Sequence, residues 1–203
     1  MPSSFFIFYI MATQADVTNF SGTEIITLDE AKAYLRVDFT TDNDYITELI
    51  KIARLQILKD TSQVIVAQGI TEWRSSWPVD YDDCIQLKYN GKVTAASVYY
   101  RNASNALVTM TEDTDYRIVN WKGLPKIQML NTPSLNGDFE DAIKIAYSIE
   151  PNNTDSIKTL KIAMYMLIQH YYDNRSPVSY LKVDEMPLGY KSIINQYKNY
   201  IWQ

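Results

Sequence analysis

A chain of 203 residues with 19 basic and 24 acidic side chains is long enough to bury a real core as one domain, or as one domain carrying a sizeable insertion. Its formal net charge of −5 gives no electrostatic drive to grip nucleic acid or anionic lipid. Single copies of cysteine, Cys84, and histidine, His170, exclude an intramolecular disulfide and a Cys/His metal cluster, while 16 tyrosines and four tryptophans supply side chains favoured in cores and at interfaces.

The opening MPSSFFIFYIM holds an apolar run of about seven residues, far short of the roughly twenty a membrane span needs. It also lacks the basic start and small-residue cleavage site of a secretory signal. Two readings stand: translation starts at Met11, or the run is an arm that docks on a neighbouring subunit. Residues 12–24 are small and polar, so 1–24 as a whole read as a flexible N-terminal arm.

Thr27-Leu28-Asp29-Glu30 has the form of a capping box, Thr27 accepting from the third helical amide while Glu30 reaches back. A short helix follows, ending near Val37, with Leu28, Ala31 and Leu35 on one face. Thr41 or Asp42 caps a longer helix whose buried stripe is Ile46, Leu49, Ile50, Ala53 and Ile57, and whose wet side carries Glu48, Lys51, Arg54 and Lys59. The pair makes a helical hairpin over 25–62.

From Thr61 the period changes to that of strands. Gln63–Ile70 is apolar and β-branched, and with Trp73, Trp77 and Pro78 it reads as one long, bent strand. Ile85–Tyr89 and Val93–Tyr100 flank Asn90-Gly91, a tight-turn signal. Leu107–Met110 returns after the turn at Arg101–Asn105, and Tyr116–Trp121 pairs with Lys126–Leu130 across Lys122-Gly123. Ala142–Ile149 alternates, with Ile143, Ile145 and Tyr147 on the buried side. The block 63–150 is therefore an inserted antiparallel sheet of roughly six short strands.

The strongest helical pattern lies in Asn153–Arg175, where Ile157, Leu160, Met164, Leu167, Ile168 and Tyr171 fall in steps of three and four. Thr154 or Asp155 caps its start and Pro177 closes it. After a loop at 176–185, Pro187 opens a last helix with Ile193, Ile194, Tyr197 and Ile201 inward. Residues 151–203 thus complete a bundle with 25–62. The class is α+β: a bundle of about four helices with an inserted antiparallel β block.

Little in this sequence carries chemistry. His170, inside the long helix, is the one residue that could activate a nucleophile, and a packed or solvated helix histidine is the plainer reading. Asp82-Asp83 and Glu112–Asp115 lack the ligand spacing of a calcium hand. Gly123, Gly137 and Gly189 stand alone and build no phosphate loop. Trp73, Trp77 and Trp121 allow a carbohydrate-binding platform as a rival reading. No catalytic, cofactor or metal residue is assigned.

Ile26–Asp38, ITLDEAKAYLRVD, followed by a run rich in Asp and Asn and then the second helix, resembles the opening of the tailed-phage head-tail connector (adaptor) family, the gp6-like and phiE125 gp8-like group. Ile65–Trp73 with Trp77-Pro78 is similar to that family's strand after the second helix. Tyr171-Tyr172-Asp173-Asn174-Arg175 is similar to the end of its third helix, and Pro187–Ser192 to the start of its last. The resemblance implies a structural virion protein without catalysis or cofactor, assembled in the host cytoplasm and located in the neck between capsid and tail. It implies a ring of identical subunits, commonly twelve, below the portal protein. DNA passes through the channel without specific binding, the next neck or tail protein docks on the far side, and no membrane is involved. A tail-completion or stopper ring protein is the alternative of the same class. Candidate contact residues are Asn90, Gly91, Arg101, Asn102, Lys122 and Gly123 at the turns, and Tyr190, Tyr197 and Trp202 in the last segment, with the helices as the ring's body and the turns reaching outward or toward the next ring.

Overall fold

The computed structural model describes residues 14–77, 83–137, 139–152, 154–175 and 186–198. Among these residues four helices and eight strands follow the order β1 (Gln14–Phe20), α1 (Leu28–Leu35), α2 (Asn43–Thr61), β2 (Gln68–Arg74), β3 (Cys84–Gln86), β4 (Lys92–Arg101), β5 (Leu107–Thr109), β6 (Tyr116–Trp121), β7 (Leu124–Met129), β8 (Ile143–Glu150), α3 (Thr154–Asp173) and α4 (Leu188–Tyr197). The architecture is α+β, as the alternation of periods predicts.

The expected capping box opens α1. Thr27 Oγ1 accepts from Glu30 N at 3.2 Å and Glu30 Oε2 accepts from Thr27 N at 2.9 Å, so two orphan amides of the first turn are satisfied. Arg36 ends the helix in the left-handed region at φ 59°. Asp42 is the N-cap position of α2 but makes no side-chain cap bond; its carboxylate is used elsewhere. The predicted stripe of α2 is buried in full, and from α3 Leu160, Met164, Leu167 and Ile168 are buried against it. With Ile26, Ala31, Ile65, Val66, Tyr190 and Ile194 they form the helical core.

The β block is two sheets rather than one. A five-stranded sheet has the order β1-β2-β8-β4-β5 and a three-stranded one the order β3-β7-β6, with every pairing between these strands antiparallel. Ile143, Ile145, Tyr147 and Ile149 of β8 alternate into a second core with Ile70, Ile85, Val98, Ile127 and Met129, as a strand buried on one face requires. Leu58 belongs to this second core while Ile57 belongs to the helical one. The last turns of α2 therefore hold the two cores together.

Three expectations are corrected. The lead-in at 12–24 contains a strand, β1, which pairs with β2 through a bulge between Val17 and Asn19. The long strand from Gln63 starts only at Gln68; Val64 is buried in the β core, but the consecutive Ile65 and Val66 both enter the helical core, which breaks the alternation of a regular strand. Arg54 is buried rather than wet: its Nε bonds Glu24 Oε1 at 3.0 Å and its guanidinium lies 4.2 Å from the centre of the Phe20 ring. The lead-in, folded back, covers it.

Candidate protein interface

The turns expected at contact sites differ in kind. At Arg101–Asn105 the chain makes an exposed turn, with Asn102 Oδ1 accepting from Ser104 N and Ala106 N, both at 3.0 Å. Arg101 at its base is held by Asp141 at 2.6 Å. Lys122-Gly123 is a hairpin turn as predicted, with φ of 49° and 79°, the positive-φ pair that suits a two-residue connection. Gly123 is nevertheless packed, since a Cβ on it would stand 2.6 Å from Asn152 Nδ2, while Lys122 is exposed. The turn lines a cleft of about 270 Å³ with Val64, Ile65, Ser156 and Leu160, at the joint between the bundle and the β block.

Asn90-Gly91 is not an exposed turn at all. β3 and β4, which it was expected to join as a hairpin, pair with β7 and with β8 and β5 instead. Asn90 is buried, and its backbone bridges to the 62–64 segment through Asn90 N to Ser62 O at 2.7 Å and Val64 N to Asn90 O at 2.9 Å. Gly91 fits against β8 because it lacks a side chain; a Cβ there would lie 2.7 Å from Glu150 O. Both residues act inside the subunit.

Tyr190 is interior too. Its hydroxyl donates to Asp60 Oδ2 at 2.6 Å, pinning α4 to α2, and burial, with Asp60 second, pushes its pKa up. Tyr197 is half-buried against the helical core, and Trp202 lies outside the described residues.

The tyrosine-rich end of α3 is a clamp. Tyr172 Oη donates to Asp42 Oδ2 at 2.7 Å, Arg175 Nη2 makes an ion pair with the same oxygen, and Tyr45 Oη donates to Tyr171 O at 3.2 Å. Arg175 also lies over the rings of Tyr172 and Tyr45, at 4.1 and 4.7 Å. This ties the start of α2 to the end of α3, so the two helices run antiparallel. The Arg175 hydrogen bond, with Tyr172 second, holds the Asp42 carboxyl below its ordinary 3.8. A depressed folded-state pKa contributes stability above the unfolded value and loses it as pH falls through the folded one. Comparing urea midpoints of the wild type and Asp42→Asn from neutral pH down to about pH 2, the gap between them is expected to be widest at neutral pH and to close in the acid range. A gap independent of pH would contradict the clamp.

Two apolar faces went unread in the sequence. On α2, Ile52 and Leu55 are 47% and 45% exposed, on the side away from the buried stripe. On α3, Ile162 is 51% exposed, flanked by half-buried Tyr165 and Met166. Tyr34 of α1 stacks on Tyr165 at 4.8 Å between ring centres, and Gly189 of α4 abuts Met166. The signal was available: large apolar residues standing about half a turn from a core stripe have no work to do inside the subunit.

His170 is half-buried on α3 beside Tyr171 and Asn174, and among the described residues no group of three or more His, Cys, Asp or Glu is placed to hold a metal. No helix among them is long and apolar enough to cross a membrane. Trp73, Trp77 and Trp121 do not share a platform. Trp73 joins Lys144 and Tyr99 on one face of the large sheet, whereas Trp77 packs with Tyr100 and the β core and donates to Pro133 O at 2.7 Å. Trp121 belongs to the other sheet.

The model of the phage gp6-like head-tail connector protein family matches residues 25–126, half of the chain. No curated protein matches. Among solved structures, a chain in the neck of an empty GTA particle computed with C6 symmetry is similar at a TM-score of 0.68 and 15% identity, covering 91% of this chain and 95% of its own. A chain in the virion of the native gene transfer agent (GTA) particle gives 0.67 and 17%, with the same coverage. One in the neck of the native particle computed with C12 symmetry gives 0.56 and 18%, covering 87% and 94%. At these identities the likeness is one of fold, and it takes in the bundle and the β block together.

Proposed function

The chain belongs to the phage gp6-like head-tail connector protein family, and from that premise we propose that its copies close into a ring below the portal protein, in the neck of the virion. The ring continues the DNA channel and offers the next neck or tail component a surface to dock on. In this reading the helices, 25–62 and 151–203, are the body of the ring and the block 63–150 supplies the docking surface, through exposed turns such as Arg101–Asn105. The role is structural rather than catalytic. The observation that carries it is the fold likeness, over 91% and 87% of the chain, to chains from particle necks computed with sixfold and twelvefold symmetry. Twelve copies is the number this favours. The net charge of −5 suits a channel wall that DNA must slide past, since few phosphate contacts mean weak, non-retentive binding.

Omission tests it. Particles assembled without this chain are expected to accumulate as heads and free tails that do not join, and adding the purified chain restores joining. Tailed, infectious particles made in its absence would contradict the proposal.

A further inference from the structure

We infer that the ring contact is made by the outward face of α2 on one copy seated against the outward face of α3 on the next, with the two helices antiparallel. This rests on the ring reading above and adds the surface that makes the ring.

α2 and α3 bury the stripes that face each other, Ile46 to Ile57 on one and Leu160 to Ile168 on the other. Ile52 with Leu55, and Ile162 with Tyr165, therefore look out from opposite sides of the bundle. A subunit with two unlike apolar patches on opposite sides is built for heterologous contacts, which generate rings when the rotation closes. A two-fold pair would cover one patch twice and leave the other bare.

The sense of the contact follows from the clamp. Within a subunit Asp42 at the start of α2 meets Tyr172 and Arg175 at the end of α3, so α2 and α3 are antiparallel. The small rotation between neighbours in a ring of many copies preserves that sense, and α2 meets the next α3 antiparallel as well. Charge then chooses the register. With Ile52 opposite Ile162, Leu55 faces Thr159 and Lys59, in the last turn of α2, faces Asp155, in the first turn of α3, a carboxylate that already holds Lys158 at 3.1 Å. Slipping so that Leu55 faces Ile162 sets Lys59 against Lys158, a like-charge pair. The first register is the one that joins apolar centre to apolar centre and opposite charges at the end. Glu48 and Lys51, already paired at 2.7 Å, sit at the rim.

The test uses assembled necks carrying Ile52→Cys and Ile162→Cys together, in a Cys84→Ser background, treated with a short bis-maleimide and separated under denaturing conditions. The inference predicts a ladder of covalent multimers from two copies upward, with each single variant at least tenfold less cross-linked. Dimers from Ile52→Cys alone or Ile162→Cys alone would mean that a face meets its own copy, and would overturn it. So would the absence of a ladder in necks that imaging shows to hold closed rings, an outcome that leaves the ring standing and gives these faces another occupant, such as the apolar run at the chain's start. If the imaged necks hold no ring of this chain, the ring reading itself falls, and this inference with it.

Discussion

Replacing Glu72 by alanine is expected to cost about 3–5 kcal/mol of stability, the usual loss when one partner of a buried charged pair is removed. Glu72 is fully buried on β2. It accepts from Tyr147 Oη at 2.5 Å, Lys88 N at 2.8 Å and Arg74 Nη2 at 3.0 Å, and the same Arg74 nitrogen donates to Gln86 O at 2.6 Å. One carboxylate thus joins β2, β8 and the segment just after β3, with Arg74 reaching the end of β3 itself, and burial, with Glu72 second, pushes the Tyr147 hydroxyl well above its ordinary pKa. Truncation leaves a phenol and an amide in the β core without this acceptor, and a guanidinium there without its counter-charge and with Gln86 O alone. For a chain of this size the loss corresponds to a fall in melting temperature of roughly 6–20 °C. Glu72→Gln keeps an acceptor for Tyr147 and Lys88 and should lose clearly less. Equal losses in the two variants would mean that the charge alone, and not the acceptor that glutamine keeps, holds the segment.

Leu167→Ala is expected to cost about 2–5 kcal/mol, through lost burial and the cavity it leaves. Leu167 is fully buried in the C-terminal half of α3, in the core built with α2, where the neighbouring helices fix the walls and little collapse is possible. The contrast is Ile162→Ala on the same helix. Ile162 looks outward, and its truncation should change the free subunit's stability by less than about 0.5 kcal/mol while weakening assembly. Denaturant midpoints of the two purified variants separate the cases; a large loss from Ile162→Ala would place it in the subunit core and remove it from the interface.

The helices were legible in the sequence because their signals are local. A capping box is four consecutive residues, and stripes such as Ile46 to Ile57 repeat within one element, so no partner has to be known. The strand stretches were legible for the same reason, but not their partners. Asn90-Gly91 has the composition of a hairpin turn, yet β3 and β4 go to different sheets, and what places Gly91 is the backbone of Glu150, about sixty positions away. Arg54 shows the same limit: a charged residue beside a buried stripe reads as wet until Phe20 and Glu24 fold over it. The candidate site was the least legible. Turns look like tips, whereas the bare faces at Ile52, Leu55 and Ile162 show in the sequence only as apolar residues half a turn from a core stripe, and their exposure has to come from the packed structure.

The most direct test of the whole account is electron microscopy of the intact neck with this chain located by labelling. The account predicts closed density of many equivalent copies on the particle axis, between the portal and the first tail component, with the DNA path running through its centre. Single copies lying off that axis, or a ring placed anywhere but on the genome's exit path, would contradict it.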